Sequence, residues 1–159
     1  MDHVGFTGSR NHPTVRQVAW LTLEMNMRDV LHHGVCVGSD HAAHLVALQT
    51  DTHIVAHPPS NDKLMARECL DTADEIRKPK WYHNRNRDIV DESQTLLALP
   101  DGPERPNSGT WYTINYAISK RKPVYMCFPD GSVEHRLWGD FDDGHSGGYP
   151  HPCIRRFPA

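Results

Sequence analysis

Apolar positions in this chain of 159 residues fall into two recurring patterns: short unbroken runs that stop at glycine or proline, and longer stretches with helical spacing. "HVGFTG", residues 3–8, is the first run and reads as a strand ending in glycine. After the turn-rich "SRNHPT", residues 14–33 carry Val15, Val18, Ala19, Leu21, Leu23, Met25, Val30 and Leu31, a broad apolar helical face. Pro13 and Thr14 suit the start of that helix, and Gly34 suits its end. "GVCVGS", residues 34–39, reads as the second strand, and "DHAAHLVALQ" as a helix capped by Ser39 or Asp40. "THIVAHP", residues 52–58, is a third strand stopped by Pro58 and Pro59. "NDKLMARECLDTA" predicts a short helix, "DEIRKPKW" a loop or an extended edge, and "HNRNRDIVDES" another helix. "TLLALP", residues 95–100, is the fourth strand, a helix follows through about Lys120, and "KPVYMCF", residues 122–128, is the fifth.

Five alternations of short Val/Ile/Leu/Cys-rich strands with helices predict an α/β protein: a Rossmann-like, open, doubly wound, mostly parallel sheet with helices on both faces. Length fits one domain over residues 1–131. Residues 132–159 are polar and glycine-rich and read as an irregular tail on the same domain, anchored by Trp138, Phe141, Tyr149 and Phe157. A net charge of −3 with neutral histidines argues against broad, sequence-independent DNA binding. No apolar run approaches a membrane span, and the first ten residues lack the pattern of a signal peptide, so the expected location is the cytoplasm.

Ligands of such sheets bind beyond the carboxyl ends of the strands. Three loops lie there: "TGSR" (Thr7 to Arg10), "GSD" (Gly38 to Asp40) and "PDGPERPNSGT" (Pro100 to Thr110). Gly8 allows close backbone approach, Ser9 offers a hydroxyl, and Arg10 offers a fork for phosphate oxygens. The third loop opens a helix near Thr110, whose free amides point back into it. Ser108 and Thr110 add hydroxyls, and Gly109 leaves room for an anion. No lysine follows that glycine, so this is not a Walker loop. Arg85 and Asn86 sit near the start of their helix, within reach of the same edge, whereas Arg87 reads as part of a solvated face.

The four cysteines, Cys36, Cys69, Cys127 and Cys153, are widely spaced and read as reduced thiols. His41 and His44 share a helical face, but the zincin pattern is absent and His32, His33 and His151 have no evident partners. No metal and no cofactor is expected.

Taken in order, "TGSR", "GSD", "RN" and "SGTW" resemble the SLOG superfamily, the Rossmann-like nucleotide-binding domains related to the Lonely Guy phosphoribohydrolases and to DprA. The likeness is to small stand-alone members of bacterial or phage origin. It spans roughly residues 3–131. It implies a nucleotide-type ligand at Gly8, Ser9, Arg10, Gly38, Ser39, Asp40, Arg85, Asn86, Ser108, Gly109 and Thr110, and a homodimer. It also places Arg85 where the Lonely Guy enzymes carry a catalytic arginine. Their catalytic glutamate, however, is replaced by Thr113. Cleaving an N-glycosidic bond calls for a carboxylate, which Asp40, Asp101 or Glu104 would have to supply. The first reading is therefore a sensing or sequestering nucleotide binder and the second a nucleotide N-glycosidic hydrolase. The third is a DprA-like binder of single-stranded DNA, using Trp81, Tyr82, Trp111 and Tyr112 beside Arg85 and Arg87.

Overall fold

The computed structural model describes residues 1–138 and 152–159. Its strands are β1 (His3–Gly8), β2 (Val30–His33), β3 (His53–Ala56), β4 (Glu75–Ile76), β5 (Thr95–Leu99), β6 (Val124–Cys127), β7 (Val133–Leu137) and β8 (Cys153–Phe157). Its helices are α1 (Val15–Met25), α2 (Ser39–Gln49), α3 (Cys69–Thr72), α4 (Tyr82–Asp91) and α5 (Gly109–Ser119). One sheet of eight strands runs in the order β4-β3-β2-β1-β5-β6-β7-β8. The pairs from β4 through β6 are parallel, and β6–β7 and β7–β8 are antiparallel.

Strand alternation sends successive side chains to opposite faces. Val4, Phe6, Leu97 and Leu99 pack against Leu21 and Met25 of α1 and Ala43, Val46 and Ala47 of α2. Leu96 and Ala98 face the other way, onto Val90 of α4 and Trp111, Ile114 and Ala117 of α5. The doubly wound parallel sheet follows from this two-sided burial.

Thr14 caps α1 with a full capping box: its hydroxyl accepts from Gln17 N, and Gln17 Oε1 accepts from Thr14 N. Gln17 Nε2 also donates to the carbonyls of Pro100 (3.1 Å) and Cys127 (2.9 Å) and so pins the helix to the ends of β5 and β6. The helix stops at Met25, not near His33, and Val15 and Leu23 are exposed.

The second strand is Val30–His33, and the expected strand at 34–39 is instead a loop leading to α2. Two histidines disguise β2. His32 and His33 are both buried, one on each face of the sheet, and both rings find ring partners: His32 bonds His3 and His57, and His33 bonds His44. Burial, the largest cause, holds His32 down to about 4, His57 down to about 3 and His33 well below its usual range. The expected short helix over 61–73 is a 3-10 turn at Asp62–Leu64 followed by the single turn of α3. The edge segment pairs with β3 through only two residues of β4.

The segment after Asp130, expected to be irregular, supplies β7 and β8. Polar side chains hide them in the sequence: half-buried Arg136 and exposed Arg156 both pair with Glu134. Trp138 lies beneath the Arg121 guanidinium and Phe157 packs against His135, while Phe141 and Tyr149 fall outside the described residues. All four cysteines are free thiols, and among the described residues no helix is long and apolar enough to cross a membrane.

Candidate functional site

A cavity of about 420 Å³ opens at the carboxyl edge of the sheet, between the loops after β1, β2 and β5 and the start of α4. Gly8, Ser9, Arg10, Asp40, Arg85, Asn86, Asp101, Ser108, Gly109 and Thr110 line it. Four separate parts of the chain that the sequence singled out therefore face one space.

Gly38 and Ser39 do not line this cavity. They hold its wall. Gly38 has φ = 86°, and a Cβ there would lie 2.1 Å from the Arg10 carbonyl oxygen. Ser39 N donates to Ser9 O at 3.0 Å, so a carbonyl of the first loop occupies the amino end of α2. The amino end of α5 is different. Ser108 caps it by accepting from Trp111 N, while the Gly109 and Thr110 amides have no acceptor among the described residues. Nothing stands within 4 Å of where a Gly109 Cβ would be. The combination gives open donors, a positive helix end and vacant space. The exposed Arg10 guanidinium has no partner among the described residues and lines the same cavity.

The floor is polar and buried. Arg85 is only 5% exposed, and its guanidinium donates to the carbonyls of Gly34 and His57 and to Asn86 Oδ1. A Cβ at Gly34 would lie 2.6 Å from Arg85 Cζ and 2.9 Å from Asp40 Oδ2. That glycine, read from sequence as a helix end, is what lets the arginine and the carboxylate share the floor. Val35 takes φ = 60°, a conformation that costs a β-branched residue ~1–3 kcal/mol. The turn brings Cys36 N onto Asp40 Oδ2 at 3.0 Å.

Burial raises Asp40 above the usual carboxylate range, opposed by the Arg85 charge and the Cys36 amide. Burial also raises Cys36, with Asp40 adding to the effect, so this sulfur stays a thiol. Asp101 is held below the ordinary range by Arg105, which grips it at 2.6 and 3.3 Å. Glu104 lines an adjoining hollow with Trp111, Tyr112 and Asn115 instead, and bonds Asn115 Nδ2 at 2.8 Å. Thr113 is buried, its hydroxyl donating to Gly109 O at 2.9 Å within α5. Among the described residues the carboxyl groups facing the cavity are thus Asp40 and Asp101.

Asn11, Cys36, Tyr82, His83, Arg105 and Asn107 also line the cavity. A signal for Asn107 existed in the residue type, since asparagine tolerates its φ of 59° at a turn before a helix. Arg105 was visible only as a charge four residues from Asp101. Arg87 stays outside, exposed, its Nε bonded to Tyr112 Oη at 2.7 Å. His41 and His44 do not act as a pair: His41 reaches Glu68 and His44 bonds His33 and Thr72.

No family model and no curated protein matches the sequence. Solved structures do match its fold. The molybdenum cofactor binding protein of Rippkaea orientalis is 22% identical, with 81% of this chain and 77% of that chain covered and a TM-score of 0.61. DNA processing protein A (DprA) of Streptococcus pneumoniae is 21% identical over 93% of this chain, with a TM-score of 0.62, and the alignment spans about half, 54%, of that longer chain. The Moco carrier protein of Chlamydomonas reinhardtii is 20% identical, with 79% and 75% covered and a TM-score of 0.58. With a parallel sheet wound on both faces and these neighbours, the chain has the SLOG-type, Rossmann-like fold.

Proposed function

We propose that this chain binds a nucleotide or nucleotide-derived ligand in the cavity at the carboxyl edge of its sheet, as a sensing or sequestering module. One observation carries the reading: Arg10, Arg85 and the open amino end of α5 border a single cavity. Its volume of about 420 Å³ falls among small-molecule sites, which run ~300–1,000 Å³. In this reading the phosphate lies against the Gly109 and Thr110 amides, with Ser9, Ser108 and Arg10 around it. The remainder of the ligand lies towards Tyr82, His83 and Asn86.

Titration calorimetry with a panel of nucleoside monophosphates tests this. Two structural neighbours are molybdenum-cofactor proteins, so that cofactor forms a further arm of the panel. Saturable binding by at least one member, weakened about tenfold or more in Arg10→Ala as expected for a lost charged hydrogen bond, is the expected result. Binding left unchanged in both Arg10→Ala and Thr110→Val overturns the cradle.

Asp40 favours a second reading, hydrolysis of the N-glycosidic bond, because a buried carboxyl with a raised pKa can hold a proton for a leaving group. Free base in the same incubations, lost in Asp40→Asn while binding persists, would establish it. DprA-like binding of single-stranded DNA would instead show as steeply salt-dependent affinity for oligonucleotides.

A further inference from the structure

On the α4 side of the sheet three ligand-type atoms converge from residues that do not line the cavity, although the His57 carbonyl accepts from Arg85 of the cavity floor. His32 Nδ1 and His57 Nε2 are 2.9 Å apart. Glu92 Oε2 lies 3.1 Å from His57 Nε2 and 3.5 Å from His32 Nδ1. Both histidines are buried, at 1% and 2% exposure, while Glu92, just past α4, is 37% exposed and opens the cluster to water.

Hydrogen bonding alone does not satisfy this triangle. Only one proton fits on the His32–His57 edge. If His32 donates it, His57 Nε2 and the carboxylate face each other with no proton between them. If His57 donates it, His32 Nδ1 and the carboxylate do so. Either way one edge is left without a proton, the 3.1 Å His57–Glu92 edge or the wider 3.5 Å His32–Glu92 edge, and a cation at the centre would satisfy all three groups at once. The size is right as well. Tetrahedral zinc with bonds of about 2.0–2.1 Å sets its ligand atoms about 3.3 Å apart, and the three edges lie around that value.

The surroundings are those of a metal centre. His32 Nε2 meets His3 Nδ1 at 2.9 Å, which fixes the ring with Nδ1 free to coordinate. Arg77 Nε donates mainly to Glu92 Oε1, at 3.1 Å, and more weakly to Oε2, at 3.4 Å, while its Nη1 is held by Glu75 at 2.7 Å; the carboxylate is thereby oriented with Oε2 towards the two rings. The neighbouring group of His33, His44 and Cys69 offers a contrast. There Val35 N donates to His33 Nδ1 (3.1 Å), His33 Nε2 to His44 Nδ1 (2.9 Å), and His44 Nε2 to Thr72 (2.7 Å). Each ring nitrogen has a single task, so that group is a hydrogen-bonded chain.

We infer that His32 Nδ1, His57 Nε2 and Glu92 Oε2 form a site for a zinc-class divalent cation, with a fourth position open to water beside Glu92. The site ties β2, the end of β3 and the end of α4 together and stands independently of the cavity reading.

Cobalt titration of the tag-free, full-length, chelator-stripped chain tests it. The expected result is a single equivalent of Co²⁺ giving the visible bands of a four-coordinate N/O site, displaced by Zn²⁺. Glu92→Gln, at a half-exposed position that does not endanger folding, and His57→Gln should each lose those bands. Arg77→Met should weaken binding about 10–100-fold, and His44→Gln should leave it unchanged. No bands in the wild type, equal binding by Glu92→Gln, or a thiolate charge-transfer band pointing to Cys69 would each overturn the assignment.

Discussion

At Gly109 the place of a side chain is open, whereas at Gly38 a Cβ would strike the Arg10 carbonyl at 2.1 Å. The two glycines therefore answer to different partners, one to whatever enters the cavity and the other to the protein itself. Gly109→Val should melt close to the wild-type temperature yet lose ligand affinity about tenfold or more, since its methyls fill the space against the free amides. Gly38→Ala should lower stability by about 1–3 kcal/mol, from strain at φ = 86° and from the displaced Arg10 loop. Thermal melts and calorimetry on the two variants separate these outcomes. Ser108, Gly109 and Thr110 were legible in the sequence because a cap and the glycine beside it are contiguous. Gly34, Cys36 and Arg105 were not, because their roles depend on distances to Arg85, Asp40 and Asp101 across the fold. Gly38 and Ser39 were found, but for a role the geometry does not give them, since a glycine that serves packing looks the same as one that serves a ligand.

Among the elements, β2 shows where apolar patterning misleads. Val30 and Leu31 continue the helical spacing of α1, and the two histidines look like a polar helix end. Only tertiary partners reveal a four-residue buried strand. The same partners make stability depend on pH. Burial, then His41, holds His44 below its ordinary value, and burial, then His44, holds His33 well below it. The unfolded chain binds protons at these rings near 6.5 and the folded chain resists them. Their contribution is therefore whole above that value and is lost as pH falls below it, by up to about 1.4 kcal/mol per pH unit for each ring. Urea midpoints measured in chelator should fall between about pH 7.5 and about pH 5. His44→Gln should flatten that dependence.

Over the whole molecule, alternation of short strands and helices was enough to give the doubly wound class and its carboxyl-edge site. The antiparallel β7 and β8 escaped because their polar and charged residues sit on an edge that buries little: every residue of β8 is exposed. A ligand that binds only the folded chain should raise its stability by about 2.7 kcal/mol at a hundred times its Kd. Chemical denaturation with and without the tightest member of the nucleotide panel measures this, and a variant such as Gly109→Val should show almost none of the gain.

The strand order carries one more consequence. After β1 the chain crosses to β2 over the face of α1, and after β5 it crosses to β6 over the face of α5. The two departing loops are drawn apart by connectivity, and the gap between them exists before any guest arrives. Binding is expected to need no hinge movement. Stopped-flow mixing should then give a single phase whose rate climbs in proportion to ligand concentration, without a plateau.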